Sequence, residues 1–291
     1  PVMTVAPGDV VEFEAMDASC GQLTPASVAA DVASLDFGRI NPVTGPVFID
    51  GAEPGDALKV TIGGVAPADW GWTANIPGFG LLADDFPEPA LHIWSFDTSC
   101  KVPASYGPAG RVPLKPFCGT IGVAPAAPGL HSIVPPRNVG GNMDARDLSE
   151  GCELYLPVEA AGALFSVGDG HATQGDGEVC GTALETPVSV VLKFDLIKRA
   201  NLAFPRYTAP GPVSRHFDAK GYEVTTGIGP DLMEAARAAV RQMVDLIASR
   251  HAITAQDAYM LCSVCADLRI SSIVDQPNWV VSFYFPRIVF D

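Results

Sequence analysis

The segment Gly168-Asp169-Gly170-His171-Ala172-Thr173-Gln174-Gly175-Asp176-Gly177-Glu178 gathers one imidazole, one amide and three carboxylates. Asp169 and His171 are two apart, so on an extended backbone they share a face. A strand offers two ligands to one metal by that spacing. The glycines let the backbone approach a small ligand closely. The competing reading is a run of turns in which Asp and Gln bond only to backbone. The flanks, Ala163–Val167 and Val179–Leu184, are apolar. A His and several acids between buried strands are costly unless they pair, bind metal or react.

A second stretch runs from His131 to Asp144. Pro135-Pro136 stiffens it, and Gly140-Gly141 permits an unusual turn from which Asn142 and Asp144 project. Asp144 reads either as a further oxygen ligand or as the cap of a helix starting near Asn142. Near the N-terminus, Asp17 follows a strand and precedes Cys20-Gly21-Gln22; taken alone it reads as a turn cap.

The elements that must position these groups are mostly strands. Short β-rich runs recur at 9–15, 47–49, 57–62, 121–124, 153–158 and 188–194, separated by turn residues. Pro46-Val47…Gly55-Asp56 faintly echoes Pro157-Val158…Gly168-Asp169, which leaves open two related β-modules within residues 1–203. Residues 204–222 read as a connection to a module spanning 204–291. There, Leu232, Ala236, Val240, Met243 and Ile247 repeat at helical spacing after Pro230-Asp231. A second helix is expected from Thr254, with Asp257 in capping-box spacing, to about Asp267. Residues 278–285 read as a closing strand. The class expected is α+β, mostly β.

Composition narrows the function. The chain has 291 residues, with 18 Lys+Arg against 33 Asp+Glu and a net charge of −15. So acidic a chain repels phosphate backbones, which excludes nucleic acid as a partner. With 48% hydrophobic residues it is not a disordered chain. No apolar run reaches the ~20 residues that span a bilayer, and no basic-then-apolar leader is visible. The seven Cys are odd in number and scattered, which fits reduced thiols and a cytoplasmic protein. Cys262-x-x-Cys265 lies in an apolar helical run without a second pair, and reads as buried structure rather than a redox site. His92 beside Trp94 reads as packed, and His216 and His251 as exposed. The aromatic segment 70–82 reads either as a lid or as packing or subunit contact.

Taken together, Asp17…Gly21-Gln22, Gly51-Ala52-Glu53-Pro54-Gly55-Asp56, Pro135-Pro136-Arg137…Gly140-Gly141-Asn142-Met143-Asp144 and Gly168-Asp169…His171…Gln174-Gly175-Asp176-Gly177-Glu178 resemble the acetamidase/formamidase family. Thr225-Thr226-Gly227…Asp231-Leu232-Met233 and Asp267–Ser271 resemble its tail, so the likeness spans nearly the whole chain. The resemblance implies a jelly-roll-like or β-sandwich body with a smaller C-terminal α/β module, and assembly into homo-oligomers. It implies hydrolysis of short amides such as formamide or acetamide, and a divalent metal, zinc with calcium as the alternative. Neither a nucleophilic Cys turn nor a rich supply of Lys is present, so other amidase chemistries do not match. On this basis the expected metal ligands are Asp17, Asp144, Asp169 and His171. Glu178 is the expected acid/base residue, with Asp144 beside it. Asn142, Gln174 and His131 are expected to bind substrate. Two alternatives remain: a hydrolase of a related amide or carbamoyl compound, and a non-catalytic metal- or sugar-binding jelly roll. The extra acid Glu178 argues against the second.

Overall fold

A computed structural model describes residues 1–108 and 110–290. It is 37% strand and 14% helix, a mostly β α+β fold. Two sheets form the body. The first has eight strands in the path Met3–Val5, Val43–Ile49, Phe165–Thr173, Leu184–Glu185, Trp70–Asn75, Ala90–Ser95, with Phe117–Gly122 and Gly140–Asn142 attached through Phe165–Thr173. The second runs Arg206–Thr208, Glu153–Pro157, Ala57–Pro67, Val188–Ile197, Val10–Ala15. Alternate residues of Val188–Phe194 are buried, as period-two patterning requires.

The sheets pack as a sandwich around one apolar cluster. Phe165 from the first sheet meets Phe13 and Phe194 from the second, with ring centroids 5.8 and 4.9 Å away. Such edge-on aromatic contacts add to the burial that drives the sheets together. The strand Phe165–Thr173 lies inside the first sheet with nearly every residue buried. That strand carries Asp169 and His171.

Three α-helices are present among the described residues: α1 (Ala29–Val32), α2 (Leu232–His251) and α3 (Ala255–Cys265). Asp231 caps α2 by accepting from Glu234 N–H at 2.9 Å, and Thr254 caps α3 by accepting from Asp257 N–H at 3.0 Å. The apolar stripe of α2 lies on a three-stranded sheet of Tyr222–Gly229, Trp279–Pro286 and Asp267–Ser272. Helix α3 ends two residues before Asp267, where another strand begins. The helix expected to run to about Asp267 stops at Cys265. Ala258 to Cys265 are all buried, so a helix pattern cannot show where burial passes from helix to strand.

Helix α3 is wedged against the body. Tyr259 Oη accepts from Leu82 N–H at 2.9 Å and donates to the Val179 carbonyl. Ser263 accepts from Gly175 N–H through its carbonyl at 2.9 Å, accepts from Cys180 N–H through Oγ at 3.1 Å, and donates to the Thr182 carbonyl at 2.7 Å. These bonds fix the loop 174–182 that carries Glu178. Cys262 and Cys265 are free, fully buried thiols, which burial pushes up in pKa.

Candidate active site

The strand Phe165–Thr173 pairs with Phe117–Gly122, with Gly168 opposite Thr120 and Gly170 opposite Cys118. Between these pairs Asp169 turns left-handed, with φ +59°. Asp144 (φ +47°) and Glu178 (φ +42°) do the same. Each such residue costs on the order of 1 kcal/mol, and such strain gathers where side chains must be aimed. Asp169 and His171 are side by side as strand spacing predicts, but through a kink rather than a flat strand.

Opposite them Gly119 leaves a gap. A Cβ there would lie 2.5 Å from Asp144 Oδ1, 2.6 Å from Asp169 Oδ2 and 2.8 Å from His171 Cε1. Only glycine lets the acids and the imidazole close over that strand.

His171 is set by Gln174. Its Nδ1 lies 3.0 Å from Gln174 Oε1, while Gln174 Nε2 donates to the Asp144 carbonyl at 2.8 Å. The second bond orients the amide, so Nδ1 is the nitrogen that donates. Nε2 then faces Asp169 Oδ1 at 3.3 Å and Glu185 Oε2 at 3.1 Å. Neither contact is aligned as a hydrogen bond, and His171 Nε2, Glu185 Oε2 and Asp144 Oδ1 are buried without partners. Glu185 Oε1 is already engaged with Ala183 N–H at 2.8 Å. A lone pair facing two buried carboxylate oxygens demands a positive charge between them. In the metal-free protein a proton supplies it. Burial works against a charged His171, but Glu185 and Asp169 outweigh it and hold the imidazole well above its usual pKa.

These groups pass the test for a divalent metal. Asp169, His171 and Glu185 bring ligand atoms within 4.8 Å of one another, and so do Asp144, His171 and Glu178. The first trio carries two of these three orphaned atoms and a His whose other nitrogen is fixed by an amide, the arrangement metal ligands adopt.

Asp144 and Glu178 form a second unit. Their carboxylate oxygens lie within 4.8 Å of one another. Burial, then the Asp169 charge, pushes Asp144 up to about 7. Burial and Asp144 push Glu178 well above the carboxylate range. Packed together, the two carboxyls hold a proton more strongly than free carboxyls do. Beside them Asn142 Oδ1 accepts from Asn41 Nδ2 at 3.0 Å and from Thr120 Oγ1 at 2.5 Å. Its Nδ2 donates to Asp144 Oδ2 at 3.2 Å, and its second N–H stays free.

Asp144, Asp169, Gln174, Glu178, Glu185 and Asn142 line one cavity of about 430 Å³. Asp17 lies at its edge with its carboxylate occupied: it accepts from Ser19 N–H at 2.9 Å, from the Ser19 hydroxyl, from Gly21 N–H at 3.1 Å and from Trp72 Nε1 at 3.0 Å. It belongs to neither ligand trio. The structure places His131 away from this cavity, exposed, with Nε2 2.7 Å from the Ala127 carbonyl, on a separate 260 Å³ pocket. Glu185, Gly119, Asn41 and Thr120 were not singled out by sequence. Glu185 alone left a signal, a single acid closing an apolar run.

The residue pattern of the Acetamidase/Formamidase family matches 1–133 and 129–291. This chain belongs to that family. It is an amidohydrolase. A formamidase of Methylophilus methylotrophus is 29% identical over 100% of this chain and 87% of its own length. The solved γ-lactamase from Delftia acidovorans superposes with a TM-score of 0.90 at 26% identity, covering 99% of this chain and 86% of that one. The acetamidase from Bacillus halodurans superposes at 0.67 with 31% identity, over 98% of this chain and 91% of that one. No helix among the described residues is long and apolar enough to cross a membrane.

Proposed function

We propose that this chain hydrolyses a neutral linear amide, of the kind its formamidase and acetamidase relatives are named for, to a carboxylate and ammonia. The observation that carries this is the cluster of Asp144, His171 and Glu178, whose ligand atoms lie within 4.8 Å of one another, with Nε2 of His171 buried and unpartnered. Asp169, His171 and Glu185 would hold a divalent metal, with Asp144 facing it. One nitrogen among oxygen donors favours zinc over calcium, which prefers an all-oxygen shell. When bound, such a cation supplies a charge that polarises an amide carbonyl and acidifies water.

The protein's residues do the rest. Glu178 takes a proton from the attacking water and returns it to the leaving nitrogen. Asp144 accepts and gives back a proton as Glu178 changes state. The water oxygen enters the carboxylate, the C–N bond breaks, and nitrogen leaves as ammonia. Asn142, its carbonyl held by Asn41 and Thr120, aims its free N–H at the developing oxyanion. Gln174, with both polar atoms engaged, positions His171 rather than substrate.

Ammonia release from a series of amides, on protein of known metal content before and after chelation, tests this. Activity that follows metal content supports it. Fully loaded protein without amide hydrolysis overturns it. The close superposition on a γ-lactamase favours a second reading, a cyclic amide opened by the same groups. Amino-acid formation from a lactam without ammonia would identify that case. The exposed Val224, Ile228 and Ile270 on the three-stranded sheet support self-association into a homo-oligomer, which light scattering checks.

A further inference from the structure

The site cavity has a mixed lining. Its acids and amides share it with the apolar side chains of Phe37, Ile40, Ile76, Phe79, Val134 and Pro136. No Lys or Arg contributes to the lining. Its 430 Å³ would hold about 14 waters at ~30 Å³ each. Formamide has three heavy atoms and acetamide four. Either would occupy a small part of this space and leave most of its apolar lining facing water.

Phe79 is not a loose surface side chain, although it is 40% exposed. Its ring rests on Gly181, where an added Cβ would strike it. Its N–H bonds the Ile76 carbonyl at 3.0 Å. The next residue, Gly80, fits so closely that a Cβ would lie 2.7 Å from the Cys180 carbonyl and 2.9 Å from Tyr259 Oη. A partly exposed aromatic ring is thus fixed in the cavity lining. Phe37, 52% exposed, lies on the same cavity.

We propose that the apolar lining of this cavity forms an acyl-binding pocket, that the preferred substrate is a neutral amide whose acyl group carries about four to seven apolar carbons, and that Phe79 and Phe37 set that preference. This rests on the amide-hydrolase reading and narrows its substrate. An apolar acyl chain displaces water from these walls, and each buried methylene strengthens binding about fourfold. The absence of a cationic side chain from that lining disfavours acyl groups that carry a carboxylate.

The test has two arms. In the first, kcat/KM is measured on metal-loaded protein for formamide, acetamide, butanamide, hexanamide and cyclohexanecarboxamide. The expected result is a rise of at least about tenfold from acetamide to hexanamide, and a fall of that hexanamide-to-acetamide ratio by at least about tenfold in Phe79→Ala. A maximum at formamide with a steady decline, or a ratio unchanged in Phe79→Ala, overturns the proposal. In the second arm, calorimetry compares binding of acetamide and cyclohexanecarboxamide to Glu178→Gln protein. Tighter binding of the larger amide supports the pocket even if no amide is hydrolysed, in which case only the catalytic reading fails. Equal or weaker binding of the larger amide overturns it.

Discussion

Asp267 and Asp169 are both buried, at 0% and 2% exposure, yet their surroundings are opposite. Asp267 accepts from both terminal nitrogens of Arg146, one at 2.9 Å, and from Arg269 at 3.0 Å. Arg146 Nε also lies 3.2 Å from Asp176. Around Asp169, the acids Asp144, Glu178 and Glu185 gather with one imidazole and no arginine or lysine. The same two loops feed both clusters. Asp144 and Arg146 are two residues apart, as are Asp176 and Glu178. The fold therefore has cations within reach and uses them on one side only. Buried acids that the chain neutralises itself hold the loops in place. Buried acids it leaves unneutralised are available for a proton or a metal.

That contrast can be broken by changing one residue at a time. The largest effect is expected from Glu178→Gln. Turnover should fall by roughly 10²–10⁴-fold, while the melting temperature holds or rises because like charge is relieved. Steady-state kinetics with less than a tenfold loss would remove Glu178 from the acid/base role. On the other side, Arg146→Met should cost about 3–5 kcal/mol of stability, because it removes the bidentate partner of the buried Asp267 carboxylate. Urea unfolding with a loss below about 1 kcal/mol would show that Arg146 is not the neutralising partner. Next, Gln174→Leu should weaken metal binding about 10–100-fold by freeing the His171 ring, with metal affinity from competition against a chelator as the readout. Unchanged affinity would mean that the Nδ1 contact does not set the ligand.

The smallest effect is a slope. Asp144 is raised from 3.8 to about 7, and Glu178 is raised well above its usual range. Groups raised on folding hold more protons in the native state than in the unfolded chain. Their contribution is full below about pH 4 and is lost as pH rises through about 7. The metal-free protein should lose stability over that window, and added metal should flatten the slope. A metal-free slope of opposite sign would contradict the raised pKa values.

The strand-rich body, the α2 stripe and both helix caps were legible because each rests on local periodicity or on neighbours three residues apart. That Asp169, His171 and Glu178 would come together was legible for a related reason: one short segment carries them. Glu185 was not, because it meets His171 by strand pairing rather than by sequence distance. Gly119 was not, because its significance is the space left for groups 25 to 52 residues away. Asp17 misled because a carboxylate saturated by its own turn and by Trp72 has the same sequence signature as a free one. His131 misled because the rigid Pro-rich stretch that carries it folds onto the neighbouring pocket.

The bonds from Ser263 and Tyr259 to the loop 174–182 have a consequence in time. The candidate metal ligands and both acids of the dyad lie within residues 144–185, but the clamp on their loop lies some 80 residues further along. A chain synthesised from its N-terminus exposes its ligands well before the residues that fix Glu178 exist. Catalytic geometry is therefore a property of a chain folded through residue 266, and ammonia release can serve as an assay of how many molecules have completed that last step.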